Sequence, residues 1–399
     1  MKAFVILLGV CAITAHGAAP ILGPRNGKAL LNNYIVVLKE SISTEAFASH
    51  LESASAGLRT AGDGAAPNKF DFGTFKGYTI KASNDEVTAL AKSDDISFIE
   101  ADRTFTLPPV SKTRVSPRVV QTNAPWNLAR ISHRQSGSTE YVYQPTTGTF
   151  VYILDTGVKV THQAFQGRAS FGFNAVGGSN EDANGHGTHL AGIVSSQTYG
   201  VVRFAGIISV KVLGDSGSST ISTIISGINW TVQDIQSKSR IGKATALLAV
   251  GGSFSAALNN AVAAASNAGV MFAVAAGGEN ANAVNYSPSS EPTACTVGAS
   301  TIGDARASSS NYGAIIDIFA PGQNILSVWI TSDTSTATLS GTSMAAAHIA
   351  GLGAYFLALE GPRGAVALCE RMREVATRDV LSGIPSGSAN LLAYNLSGL

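Results

Sequence analysis

Phe150-Val151-Tyr152-Ile153-Leu154 is a short apolar run, closed by Asp155-Thr156-Gly157. Three further runs share its texture: Ser209-Val210-Lys211-Val212-Leu213, Ala246-Leu247-Leu248-Ala249-Val250 and Val270-Met271-Phe272-Ala273-Val274. Short apolar runs bounded by Gly or Asp are the pattern of parallel strands buried on both faces. Between them, 221–237 and 256–267 space Ala and Ile as helices do. This alternation predicts an α/β fold: a doubly wound parallel sheet with helices on both faces and ligands at the carboxyl ends of the strands.

The preceding sequence reads differently. Residues 33–107 suit a small α+β domain, with strands at 33–39, 75–80 and 96–100 and helices at 45–55 and 85–92. Residues 108–122, with Pro108, Pro109, Lys112, Arg114, Pro117 and Arg118, read as an exposed linker. At the start, Lys2 precedes a short apolar run through Ile13, and small residues follow at Ala15, Gly17, Ala18 and Ala19. That is the layout of a secretory signal peptide, with a run too short to span a bilayer.

Composition narrows the function. The 399 residues carry 27 Lys+Arg and 26 Asp+Glu, a net charge of +1. Near-neutrality argues against a nucleic-acid partner, which calls for a basic face. With 45% hydrophobic residues the chain is globular. No later apolar stretch reaches about 18 residues without polar breaks, so no membrane anchor is expected. Three cysteines are too few for a disulfide scaffold, and cleavage near Ala19 would remove Cys11. Asn229, Asn285 and Asn395 head glycosylation sequons, the second followed by Pro288.

Three segments join a reactive side chain to tight glycine turns. Asp155 lies just past a buried strand, and His186, in Asn184-Gly185-His186-Gly187-Thr188-His189, at a helix start. Ser343, in Ser340-Gly341-Thr342-Ser343-Met344-Ala345, opens a long apolar helix. Singly, Asp155 suits a helix cap or a cation ligand, His186 a core histidine, and Ser343 an N-cap. Together they follow the Asp–His–Ser chain order of subtilisin.

On these residues the chain resembles the subtilisin-like serine proteases of peptidase family S8, in the secreted fungal proteinase K branch. Further matches are Thr122-Asn123-Ala124-Pro125-Trp126-Asn127-Leu128-Ala129-Arg130-Ile131, Asn285-Tyr286-Ser287-Pro288 and Asn390-Leu391-Leu392-Ala393-Tyr394-Asn395. The resemblance implies a signal peptide at 1–19, a propeptide at 20–118 with its inhibitor-like part at about 33–107, and a peptidase domain at 119–399. It implies a secreted, extracellular, monomeric endopeptidase needing no cofactor for its chemistry. The propeptide would aid folding and block the cleft until cut at Pro117–Gln121.

In that likeness Ser343 is the nucleophile, His186 the general base and Asp155 the residue that orients it, while His189 and His348 are structural. Substrate would lie as an extended strand between Ala249-Val250-Gly251-Gly252 and Leu213-Gly214-Asp215-Ser216-Gly217-Ser218. Gly251, Gly252 and Gly277 would leave an open, uncharged primary pocket for apolar or aromatic side chains. The likeness also implies a Cys295–Cys369 disulfide, worth roughly 4 kcal/mol by chain entropy. It implies a structural calcium at the carbonyls of Pro292 and Ala294 and the carboxylate of Asp317. Fungal relatives degrade keratin and collagen, so host structural proteins are the implied substrates.

The sequence departs from this family at the oxyanion. The family places Asn after Ala-Ala-Gly, whereas this chain reads Ala275-Ala276-Gly277-Gly278-Glu279-Asn280. Gly278 has no side-chain donor, and Asn280 reaches back only if the loop shifts by two residues. Ala249 replaces a family serine and Ala347 a proline. Leu190 and Phe150 stand where cysteines often do. The alternative reading is therefore a weakly active or inactive homologue that binds peptides.

Overall fold

The computed structural model describes residues 18–23, 29–57, 67–106, 111–113 and 123–398. The expected leader up to residue 17, with Cys11, and the expected cleavage region Pro117–Gln121 lie outside the described residues.

Phe150–Asp155 is a strand buried from its second residue on. Successive strand side chains point to opposite faces, so Val151 and Ile153 enter one core and Tyr152 and Leu154 the other. It pairs in parallel with Gly206–Lys211 on one side and Ala244–Leu248 on the other. Ala169–Asn174 lies beyond the first. Beyond the second come Met271–Ala275, Cys295–Ser300, Ile318–Pro321 and Leu391–Leu392, all parallel. Thr377–Arg378 ends the sheet with one antiparallel pair. From Phe150–Asp155 the chain runs to the edge strand Ala169–Asn174, returns to Gly206–Lys211, and then crosses over to wind outward on the other side, so Asp155 ends the strand across which the winding changes side. Crevices form at such points.

Helices cover both faces. His186–Ser195 and Thr342–Glu360 pack on the Val151 side, Ile221–Ser237 and Ala256–Asn267 on the Tyr152 side. Thr342–Glu360 has the length and hydropathy of a membrane span, but it is almost wholly buried. It lies against the central strands and the helix Ala365–Val375. Cys369 of that last helix is bonded to Cys295 at a Cα–Cα distance of 5.7 Å.

The N-terminal unit is a sheet ordered Ile21–Leu22, Ile96–Thr106, Ala29–Leu38, Phe75–Lys81, Lys69–Phe72, with helices Thr44–Gly57 and Asn84–Leu90. Lys69–Phe72 is a strand the sequence reading missed. It is four residues long, and only the burial of Phe70 and Phe72 marks it. These two, with Phe75 and Phe98, enter the same core cluster as the helices Ile221–Ser237 and Ala256–Asn267. Burying one such side chain contributes about 1.5–3 kcal/mol, so the unit is seated mainly by apolar contact.

Polar groups fix its register on those helices. Glu100 accepts the N–H of Ala257 at 2.9 Å, and Asp102 accepts the N–H and hydroxyl of Ser222. Each carboxylate thus meets donors that have no partner within their own helix, at the positive end of that helix. Arg103 beside them donates to the carbonyls of Ser253 and Phe254.

Candidate active site

Asp155 Oδ1 accepts the ring Nδ1–H of His186 at 2.8 Å and the N–H of Thr156 at 2.8 Å. Both side chains are buried. His186 opens its helix beside the turn after Asp155, and the approach is close. A Cβ on Gly187 would sit 2.2 Å from the Gly157 carbonyl oxygen, so glycine alone fits there.

Asp182, which the sequence reading did not single out, holds this corner. Its Oδ1 accepts the Thr156 hydroxyl at 2.8 Å and the N–H groups of Asn184 and Gly185 at 3.1 and 2.8 Å. Its Oδ2 accepts the N–H and hydroxyl of Thr188 at 3.0 and 2.6 Å. One buried carboxylate therefore ties the Asp155 turn to the first turn of the histidine helix. Lys211 adds a second tie, donating to the Thr156 carbonyl at 2.7 Å and to Asp215 at 3.0 Å. The signal for Asp182 was its place four residues before His186, in a run rich in turn formers.

Ser343 is the second residue of Thr342–Glu360 and is buried. Its hydroxyl donates to the Ala249 carbonyl at 3.3 Å, and His186 Nε2 has no hydrogen-bond partner among the described residues. Asp155 and His186 are thus brought together, while the Ser343 hydroxyl is turned to the strand end at Ala249.

Gly278 lies in a loop without the two-residue shift that would let Asn280 replace the missing donor. Gly277 N–H and carbonyl both bond the Thr342 hydroxyl at 3.2 Å. Asn311 Oδ1 accepts the N–H of Glu279 and of Ala281 at 3.1 and 2.9 Å. Asn280 itself is exposed, left-handed at φ 51°, and donates its N–H to Ser309.

The expected uncharged pocket needs correction at Gly277. A Cβ there would lie 2.6 Å from Glu279 Oε2 and 2.4 Å from Asn311 Nδ2. A carboxylate held by Asn311 at 2.7 Å therefore stands against that glycine. Of the other expected binding residues, Ala249 and Val250 are buried, and Gly252 pairs with Ser287 in a short antiparallel ladder beginning just after Gly251. Gly217, at φ 77°, precedes the strand Ser218–Thr220.

That strand already has a partner. Thr104–Thr106, at the end of the N-terminal unit, pairs with it antiparallel. Ser111–Thr113 pairs antiparallel with Thr338–Ser340, which leads through Gly341 into the serine helix. Residues 104–106 and 111–113 therefore add strands beside Ser218–Thr220 and Thr338–Ser340.

Residues 146–379 match the subtilase family (peptidase S8), and residues 33–108 match the peptidase inhibitor I9 family. The chain belongs to the subtilase family. It is 43% identical over 382 residues to a cuticle-degrading protease of Metarhizium anisopliae, covering 94% of this chain and 93% of that protein. It is 46% identical over 380 residues to the subtilisin-like serine protease AsES of Sarocladium strictum, with 94% and 93% covered. A crystal structure of a cold adapted subtilisin-like serine proteinase matches with a TM-score of 0.65 and 39% identity, over 69% of this chain and 99% of that one. This chain is accordingly a subtilisin-like serine protease carrying an inhibitor-type propeptide.

The other two histidines of this subtilase's motifs are fully buried. His189 Nε2 faces the carbonyls of Ile325 and Ala337, both at 3.1 Å. His348 Nδ1 lies 2.8 Å from the Met344 carbonyl, and its Nε2 lies 2.8 Å from the Asn127 amide nitrogen. Burial pushes His189 down to about 3 and His348 down to about 4. Unfolded, each would titrate near about 6.5. Their folded pKa values are depressed, so the stability they contribute is present above about pH 6.5 and lost as pH falls toward those values. Around pH 5 the unfolded chain binds about two more protons at these sites, a slope of about 3 kcal/mol per pH unit. Urea unfolding between pH 7 and 5 checks this: His348→Gln should make the pH dependence shallower by about one proton, and an unchanged dependence would contradict it.

The expected calcium set does not fit. Asp317 is its only side-chain ligand, and its Oδ2 already accepts the N–H of Thr296 at 2.8 Å. Its Oδ1 faces the Arg373 guanidinium at 3.6 Å, so a cationic side chain stands where calcium would need oxygen donors. Asn395 is corrected as a glycosylation site. It is fully buried, with Nδ2 donating to the Val142 carbonyl at 2.7 Å. Asn285 is exposed, and Asn229 is half-buried within Ile221–Ser237.

Proposed function

We propose that this subtilase hydrolyses protein peptide bonds through Asp155, His186 and Ser343. The observation that carries the reading is the buried Asp155–His186 bond, which leaves ring Nε2 as the free base. The Ser343 hydroxyl turns from Ala249 to His186 and attacks the substrate carbonyl. Its proton passes to Nε2 as the Oγ–C bond forms, and Asp155 stabilises the imidazolium. Nε2 then returns the proton to the leaving amine as the C–N bond breaks. Water repeats the sequence on the acyl-enzyme, regenerating Ser343.

Substrate replaces Thr104–Thr106 along Ser218–Thr220, so the propeptide inhibits by occupying the substrate's edge. It also supports folding of the peptidase domain, 119–399, until cut at Pro117–Gln121. Apolar and aromatic side chains fill the primary pocket, with Glu279 at its Gly277 wall. The Cys295–Cys369 bond supports an extracellular site of action. The relative named as cuticle-degrading supports structural proteins of a host surface as substrates.

Gly278 favours a second reading, a slow or inactive peptide-binding homologue. A fluorophosphonate probe separates the two, since it bonds only to a serine activated by its base. The processed protein should be labelled at Ser343 and should turn over an apolar peptide anilide. No labelling and no turnover would sink the protease reading.

A further inference from the structure

Asp317 opens the way to Ile318–Pro321 and is the one acidic side chain of the expected calcium set. Its surroundings are built from two elements locked together. Arg373 belongs to the helix Ala365–Val375, one turn after Cys369. Cys369 is bonded to Cys295, the first residue of the strand that carries Thr296. The two sulfur atoms and an Asp317 oxygen lie within 4.8 Å of one another. The disulfide thus holds the helix so that its next turn presents a guanidinium to the carboxylate, while Thr296 binds the other oxygen. Glu370, on the same helix, also binds Arg373 at Nη1 and more closely than Asp317 does, so one guanidinium nitrogen is shared between the two carboxylates.

A carboxylate enclosed this far needs a counter-charge, and a tethered cation supplies one without the entropy loss of capturing an ion. A guanidinium offers only donors and cannot lose its proton in a protein, so it excludes a second cation from the same oxygen. We propose that Arg373 is the built-in counter-ion of Asp317, and that this subtilase binds no calcium there.

The test is thermal unfolding of the full-length chain in a chelator and in millimolar calcium, for the parent, Asp317→Asn, Arg373→Met and the double variant. Arg373→Met should lower Tm in chelator by several degrees, and calcium should restore part of the loss. That calcium response should vanish in the double variant, since it depends on the exposed Asp317. In the parent, any rise in Tm with calcium should be the same in Asp317→Asn. A calcium response in the parent that Asp317→Asn abolishes would overturn the proposal. So would additive effects of the two substitutions in chelator, because a true pair is coupled. If Arg373→Met does not fold, Arg373→Lys serves instead. It should keep the parent's Tm and its indifference to calcium at Asp317, and a Tm loss rescued by calcium would count against the pairing.

Discussion

Gly278→Asn is expected to raise kcat by about a hundred- to a thousandfold, with KM nearly unchanged. The size comes from removal of the corresponding donor in subtilisin, another member of the family. The loop that carries Gly278 is pinned on both sides. Its anchors, Gly277 on Thr342 and the Glu279 and Ala281 N–H groups on Asn311, hold position 278 whatever its side chain. An amide added there would act on charge that develops at the carbonyl oxygen only in the transition state. Such a contact changes kcat and leaves ground-state binding alone. The measurement is steady-state hydrolysis of an apolar peptide anilide. If kcat did not rise, some other donor would already be serving the oxyanion.

Ser343→Ala is expected to lower kcat by at least about a thousandfold. In subtilisin the loss on removing the nucleophile is about two-million-fold. This chain starts lower by its missing donor, which narrows the fall to about two-thousand- to twenty-thousandfold. The two changes should therefore be coupled. In the Gly278→Asn background the loss on removing Ser343 should widen by the factor that Asn gained. Equal hydrolysis by parent and Ser343→Ala would mean that the activity belongs to a contaminant or to no triad.

The sheet was legible in sequence because its strands are buried on both faces. Runs such as Phe150 to Leu154 then read as continuous apolar segments, and local composition suffices. Lys69–Phe72 was missed because a four-residue strand against a foreign helix surface has too short a pattern. At the site, Asp155, His186 and Ser343 stood out as reactive residues among turn glycines. Asp182 did not, because an aspartate in a turn-rich loop resembles any other until its five hydrogen bonds are seen. Arg373 was equally invisible. Nothing in the pattern of a half-buried helix tells which long cation on its outer side folds back onto a carboxylate 56 positions earlier (373 against 317). Asn395 failed for the opposite reason, since a sequon records three residues and not their burial.

The strands that the N-terminal unit adds at Ser218–Thr220 and Thr338–Ser340 have a consequence for concentration. While the chain is whole, its blocking segment is present at an effective concentration in the millimolar range or above, set by the tether and not by the amount of protein. No ordinary level of a competing peptide displaces it. A single cut in the connecting segment turns the same contacts into a bimolecular equilibrium, whose occupancy depends on how much volume the two pieces share. Dilution then does what no competitor can, and the enzyme becomes free once the concentration of the two pieces falls below their dissociation constant.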